Sequence, residues 1–144
     1  MKRSAVRDRS YGFAMRIIKL TLKMPNNIAS DSLARQLIKS GTSISANVEE
    51  AMVASSQEDF LYKMGLAKEE AMESKFWLSL IKDTVLLFDP EVRPLIHDVC
   101  DPEIKKLIQE AEELTKILSS IVRTSEERSF TKANGGKKPK IIRT

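Results

Sequence analysis

Residues 40–81 decide the fold, and they read SGTSISANVEEAMVASSQEDFLYKMGLAKEEAMESKFWLSLI. The stretch contains two amphipathic helical patterns and the short joint between them, residues 55–59. In the first pattern small and aliphatic residues recur at steps of three and four, which places them on one face of a helix. These residues are Ala34, Leu37, Gly41, Ile44, Val48 and Ala51. Several of them are small, so the pattern predicts a helix whose backbone lies close to a neighbouring helix.

A line of polar residues runs beside that apolar face with the same spacing. It consists of Ser40, Ser43, Asn47 and Glu50. One interpretation is a half-buried structural seam, in which these groups form hydrogen bonds to a neighbouring helix or to helix ends. The alternative is a ligand or nucleic-acid site. The structural seam is favoured, because no base or nucleophile accompanies these residues.

The second pattern starts after the joint, where Ser55 followed by Glu58 fits a capping box. The helix that follows carries one apolar face from Phe60 to Val85 at helical spacing. It also carries a second apolar set on another side, formed by Tyr62, Leu66, Phe76, Trp77 and Leu80. A helix that is apolar on two sides needs two partners. The pattern therefore predicts that one face packs in the bundle core and that the second contacts another subunit.

Three sequence patterns in this stretch resemble a known bacterial family of four-helix-bundle proteins. They are SGTSI-x-AN-x-x-EA from residue 40, S-x-x-DF from residue 56, and GLAKEEAMESKFWLSLI from residue 65. The family includes proteins encoded in intervening sequences of 23S ribosomal RNA genes. The chain is also similar to the accessory variability determinant of diversity-generating retroelements. The resemblance covers residues 11–127 and is densest at 40–81.

The resemblance implies an antiparallel four-helix bundle that assembles as a homopentamer. For the retroelement relatives it implies a basic surface that engages reverse transcriptase and RNA. The chain departs from the family pattern at Glu49 and near Val53, where relatives often carry basic residues. This departure argues against a nucleic-acid contact at the start of the joint.

The rest of the chain supplies two further helical patterns. The first helix is predicted over residues 11–24, with Pro25 ending it and residues 30–32 offering N-cap side chains to the next helix. The fourth is predicted to start at Asp101 and Pro102 after a connection of about a dozen residues. Four apolar stripes without strand alternation predict an all-α, antiparallel up-and-down four-helix bundle. The predicted domains are the bundle, residues 1–127, and a basic flexible tail, residues 128–144, that is disordered when alone.

Charge is segregated along the chain. Residues 1–39 carry nine basic and two acidic residues, residues 40–127 carry nine and eighteen, and residues 128–144 carry six and none. This separation indicates either a basic face for nucleic acid or electrostatic pairing between subunits. The candidate nucleic-acid-binding residues are Arg9, Arg16, Lys19, Lys23, Arg35, Lys39, Lys137, Lys138, Lys140 and Arg143.

Catalytic and metal chemistry find little support in the sequence. The lone His97 and the lone Cys100 are expected in or near a loop, where neither has a partner for a metal cluster or an intramolecular disulfide. No Gly-rich phosphate loop or nucleophile-elbow motif is present. The sequence therefore predicts a non-enzyme without catalytic residues, metal or cofactor. The absence of a signal region or membrane-length apolar run predicts a cytoplasmic protein with no membrane partner.

Two functions remain open at this point. The first is a non-catalytic, homo-oligomeric nucleic-acid-binding bundle that binds RNA in preference, with reverse transcriptase as a protein partner implied by the resemblance. The second is a protein-assembly module with no nucleic-acid role. The basic first helix and tail favour the first function, whereas Glu49 and the acidic later helices favour the second.

Overall fold

The chain folds into four helices arranged as an up-and-down bundle. The structure, a computed structural model, describes residues 3–85 and 93–136, and the side chains of 3–84 and 102–136. The helices are α1 (Arg3–Thr21), α2 (Ile28–Met52), α3 (Gln57–Val85) and α4 (Arg93–Ala133). Within these ranges each helix packs against the next along the chain, α1 also packs against α4, and the backbones of the diagonal pairs do not come close to each other. With no strand in the described ranges, the predicted all-α bundle is confirmed.

The core is formed by the apolar stripes that the sequence placed on single helix faces. Each helix contributes fully buried aliphatic or aromatic side chains, and burying one such side chain contributes about 1.5–3 kcal/mol. The largest of them are Phe13, Ile17, Leu20, Leu37, Ile44, Met64, Leu78, Ile104, Leu107, Leu114 and Leu118. The helices are thus held by packing of their inner faces, as amphipathic helices in a bundle usually are.

The first helix, predicted over residues 11–24, runs from Arg3 to Thr21, and two N-cap residues also differ from the predicted ones. The N-cap of α2 is Asn27, whose side chain accepts a hydrogen bond from the amide of Ser30 at 2.9 Å, so the predicted N-cap among residues 30–32 is wrong. At α3, Ser56 rather than Ser55 accepts from the amide of Asp59, at 3.0 Å. Both differences have one cause: the cap is the last non-helical residue, and its position depends on where the backbone turns.

The fourth helix is longer at both ends than predicted. It starts at Arg93, not at Asp101, and Pro102 lies inside it. His97 and Cys100 therefore belong to a helix and not to a loop, while their side chains lie outside the described residues. The helix also continues to Ala133, so the boundary predicted at 127 falls within α4. Gly135 and Gly136, both with positive φ, follow the helix as is usual at a C-terminus.

Gly41 sets the distance between α1 and α2. A Cβ added there would lie 3.0–3.3 Å from three side-chain atoms of Ile17. The helix backbone at Gly41 is thus in direct contact with the Ile17 side chain, as the small residues on this face predicted. A Cβ at Gly12 would meet nothing within 4 Å.

The two glycines should respond in opposite ways to substitution. Gly41→Leu is expected to lower the free energy of unfolding by about 1–3 kcal/mol, because the larger side chain overpacks the α1–α2 contact. Gly12→Ala is expected to raise it by about 0.5–1 kcal/mol, because alanine restricts the unfolded chain and meets no neighbour. Urea unfolding followed by circular dichroism measures both values. A Gly41→Leu protein as stable as wild type would contradict the close contact.

Candidate nucleic-acid interface

Two of the predicted nucleic-acid-binding residues face glutamates of α4. Arg9 donates to both carboxylate oxygens of Glu110, from Nε at 2.5 Å and from Nη2 at 3.0 Å. Arg16 donates from Nε to Glu103 at 3.0 Å. The hydrogen bond to Glu110 raises the pKa of Arg9 above its ordinary value, with burial acting in the opposite direction. These two arginines thus hold α1 against α4, antiparallel to it, and their charge is largely compensated within the bundle.

The other four predicted cations within the described residues remain exposed. Gly41 of α2 lies against Ile17 of α1. The last turns of α1 and the first turns of α2 are therefore side by side at the same end of the bundle. That end carries Lys19, Lys23, Arg35 and Lys39, here called the hairpin cations. None of the four forms an ion pair with a described residue. Asp31 is the sole acidic residue in the sequence from 11 to 39, so the surface that α1 and α2 contribute at this end is strongly basic.

The remaining predicted nucleic-acid-binding residues are Lys137, Lys138, Lys140 and Arg143, which lie outside the described residues. Their attachment point is nevertheless defined. The end of α4 lies beside Arg3, at the start of α1. The tail therefore joins the bundle at the end opposite to the hairpin cations. The beginning of the predicted tail, with Arg128 and Lys132, therefore shares a surface with Arg3 and not with the hairpin cations.

Burial affects one carboxylate near the hairpin cations. The pKa of Glu70 is raised, first by burial and then by the charge of Glu73, while Lys39 acts in the opposite direction. A raised pKa in the folded state favours the protonated form. Its contribution to stability is thus fully present below the ordinary carboxyl pKa and is lost as the pH rises through the raised value. The charge of Lys39, an exposed residue, therefore partly offsets the effect of burial on Glu70 of α3.

The predicted polar seam separates into buried and exposed parts. Ser40 is 1% exposed, donates to the carbonyl of Leu37 at 3.3 Å and accepts from the Ser74 hydroxyl of α3 at 3.0 Å. Ser43 and Asn47 donate to carbonyls four residues earlier in their own helix, at 2.5 and 2.8 Å. Only the first of these residues therefore joins two helices through a buried hydroxyl pair.

Glu49 and Glu50, at the end of α2, each contact a cation of a neighbouring helix. Arg7 of α1 contacts Glu49 at 2.6 Å, and Lys63 of α3 contacts Glu50 at 2.6 Å. The hydrogen bond to Glu50 raises the pKa of Lys63. Glu49 is thus part of an ion pair between α1 and α2. Such exposed pairs add little to stability, because water screens them.

The second apolar set on α3 lies at the surface of the isolated chain. Tyr62 is 61% exposed and Phe76 is 57% exposed, and Phe76 meets Trp77 edge-on with ring centroids 4.9 Å apart. Leu66 and Leu80 are half-buried. Trp77 also packs against the core. The rest of this α3 face, formed by the five residues predicted for it, is at least partly open to solvent.

A further apolar surface on α1 was missed by the sequence analysis. Tyr11, Met15, Ile18 and Leu22 are 58%, 45%, 42% and 80% exposed. Their spacing of four, three and four residues is helical and was visible in the sequence. It was overlooked because Phe13, Ile17 and Leu20 already supplied a core stripe. Most of this α1 face borders a groove of about 390 Å³ beside α2.

Neither a metal-binding cluster nor a membrane-spanning helix occurs in the described part of the chain. Among the side chains of residues 3–84 and 102–136, no group of three or more His, Cys, Asp or Glu residues could hold a metal ion. In the same ranges, no helix is both long and apolar enough to cross a membrane.

Comparison with known families identifies the group to which this bundle belongs. The family model of the 23S rRNA-intervening sequence protein matches residues 2–120. The chain belongs to this family. The match confirms that part of the resemblance inferred from the sequence, while the similarity to retroelement accessory proteins stays a prediction.

A solved structure of a related protein has the same bundle. It is the crystal structure of a protein of unknown function from the S23 ribosomal protein family of Bacteroides thetaiotaomicron, with a TM-score of 0.69 and 32% sequence identity. The match covers 85% of the present chain and 99% of that chain. No curated protein matches the chain. The family and the fold are thus established together.

Proposed function

We propose that this member of the 23S rRNA-intervening sequence protein family is a non-catalytic, homo-oligomeric bundle that binds RNA in the bacterial cytoplasm. The hairpin cations carry the proposal. They are exposed, they form no ion pair with a described residue, and they share one end of the bundle. Exposed lysines and arginines bind the phosphates of nucleic acid without reading sequence. The family's name connects it to ribosomal RNA genes, which favours RNA over DNA.

Two apolar faces support the homo-oligomer, for which we propose five subunits. The α1 face and the α3 face lie on helices that are diagonal in the described bundle. One subunit therefore presents two separate apolar faces. Contact between the α1 face of one subunit and the α3 face of the next would be heterologous, and heterologous contacts generate rings when the rotation closes. In such a ring the hairpin cations are repeated around one end.

Reverse transcriptase is a further partner, proposed from the resemblance to retroelement accessory proteins alone. The acidic surfaces of α3 and α4 are not suited to RNA and remain available for a protein. Copurification of the two proteins from cells that express both would support this partner. Recovery of the reverse transcriptase without the bundle would count against it.

The RNA-binding proposal is tested by replacing the four hairpin cations with glutamine. We expect the variant to lose retention of a structured RNA in a gel-shift assay near 50 mM salt. The slope of log affinity against log salt should become shallower by about 0.7–0.9 for each phosphate that the variant no longer binds. A matched control replaces four cations of the acidic helices by glutamine: Lys68, Lys106, Lys116 and Arg123.

The control has the same net charge as the test variant, so it separates a local contact from a general electrostatic effect. Equal losses of affinity in both variants would contradict a site at the hairpin cations. If wild type itself retains neither RNA nor DNA, the protein is better described as an assembly module. The two unpartnered apolar faces favour that alternative function.

A further inference from the structure

A cavity lies at the end of the bundle opposite to the hairpin cations. Its volume is about 530 Å³, and it is formed where the starts of α1 and α3 meet the end of α4. Its polar lining residues are Arg3, Gln57, Ser125, Arg128, Ser129 and Lys132. Cavities of about 300–1,000 Å³ are the size in which proteins bind small molecules. The cavity is thus large enough for a phosphate group and part of the molecule attached to it.

The lining of this cavity is positively charged. Arg3, Arg128 and Lys132 are exposed, and none of the three forms an ion pair with a described residue. No carboxylate of the described residues lines the cavity, whereas the groove beside α1 contains Glu49 and the cavity between α3 and α4 contains Glu112. Glu127 borders Arg128 and Lys132 only on the adjoining surface of α4. Three cations without an ion pair around one space favour an anion there.

Arg3 is held in place by an aromatic ring. Its guanidinium carbon lies 4.2 Å from the centroid of Phe60, which is 4% exposed and part of the core. Stacking on a buried ring restricts the guanidinium and leaves its N–H groups at the edge, where they can donate to oxygen atoms. A guanidinium oriented in this way is suited to a phosphate group.

Ser125 provides an observation independent of charge. The residue is 7% exposed and lines the cavity. On the same helix Ser119 and Ser129 donate to the carbonyls four residues earlier, at 2.7 and 3.0 Å. The hydroxyl of Ser125 has no hydrogen-bond partner among the described residues. Among the described residues, every side-chain N or O atom that is sealed from solvent has a hydrogen-bond partner. The hydroxyl of Ser125 has none, so it is accessible, and a molecule in the cavity can contact it.

The start of α3 adds backbone donors at Gln57. The first amides of a helix have no acceptor within it, and Ser56 satisfies that of Asp59. The amides of the first turn before Asp59 therefore point outward at the positive end of the helix dipole, which favours anions. The end of α4 is the negative end of its helix dipole, which disfavours an anion. Two of its carbonyls, of Phe130 and Thr131, already accept from the amides of Asn134 and Gly136.

We propose that this cavity binds a phosphate group, either a terminal phosphate or a backbone phosphodiester of a nucleic acid. Arg3, Arg128 and Lys132 balance its charge, and Ser125 donates a hydrogen bond to one of its oxygens. The site is separate from the hairpin cations and lies at the other end of the bundle. It therefore does not depend on the RNA-binding proposal.

The first test is calorimetric titration of the full-length protein with inorganic phosphate. We expect saturable binding, weakened about tenfold by Ser125→Ala and by Lys132→Gln, since each removes a hydrogen bond to a charged group. Lys116→Gln is the matched control, because it removes an exposed lysine of the same helix at a cavity that contains Glu112. The variant with all hairpin cations replaced should bind phosphate like wild type.

The second test identifies the source of the phosphate, with a short RNA carrying either a 5′-phosphate or a 5′-hydroxyl. Preference for the 5′-phosphate, abolished in Lys132→Gln, would assign a terminal phosphate. Equal binding of both RNAs, weakened in Lys132→Gln, would assign a backbone phosphodiester. No saturation below about 10 mM inorganic phosphate, or an equal decrease of affinity in Lys116→Gln, would overturn the proposed site.

Discussion

A protein carrying both Phe76→Lys and Leu80→Lys is expected to be a monomer, whereas wild type is expected to form the proposed homopentamer. Phe76 is 57% exposed in the single chain, and Leu80 is half-buried beside it on the outer side of α3. Neither residue contributes to the buried core, so the variant should fold. Placing two ammonium groups in an apolar interface leaves them desolvated and unpaired, which is strongly destabilising for the contact. Light scattering at micromolar concentration measures the mass.

The α1 face provides the complementary variant, Met15→Lys with Ile18→Lys. It too is expected to be monomeric, because the proposed ring contact joins the α1 face of one subunit to the α3 face of the next. A mixture of the two variants should form a heterodimer and nothing larger. Each variant retains one intact face, and the two intact faces match each other. Phe130→Lys, at a 49% exposed residue of α4, is the control and should remain pentameric.

Three outcomes would contradict this arrangement. A monomeric wild type would remove the oligomer altogether. Two variants that each form a homodimer and do not combine with each other would indicate that each face pairs with itself. A loss of helical circular dichroism in either variant would show that the substitution acts on the fold and not on the interface.

The second large effect is a loss of RNA affinity in the same Phe76→Lys, Leu80→Lys variant. We expect the affinity for a long structured RNA to fall by about 10²–10⁴, because linked binding sites raise the effective concentration of each contact. The hairpin cations are unchanged in this variant. Two added lysines increase its positive charge, so ordinary electrostatics would strengthen binding. A decrease must therefore come from the loss of repeated sites.

Fluorescence anisotropy with RNAs of two lengths separates the contributions. A short RNA that reaches a single subunit should bind the variant as well as wild type, or slightly better. A long RNA that spans several subunits should bind the variant much more weakly. Equal affinity of wild type and variant for the long RNA would show that a single subunit forms the whole site.

The sequence by itself determined the helices and their inner faces. Residues such as Ile44, Val48, Leu107 and Leu114 recur at helical spacing and are fully buried. Burial of a helix face depends on this periodicity, which is local and can be read along the chain. The close approach at Gly41 was predicted for the same reason. The apolar residues at 62, 66, 76, 77 and 80 were recognised as a second surface, although the sequence does not say what covers it.

The tertiary structure alone decided which cations are available for a ligand. Arg9, Arg16 and Lys23 have the same seven-residue spacing in the sequence, yet the first two contact Glu110 and Glu103, 101 and 87 residues away. That pairing depends on the antiparallel alignment of α1 with α4, which no local pattern encodes. The cavity between Arg3, Gln57 and Lys132 has the same origin. Charge compensation and cavities arise from residues distant in the chain, so they are determined only when the helices pack.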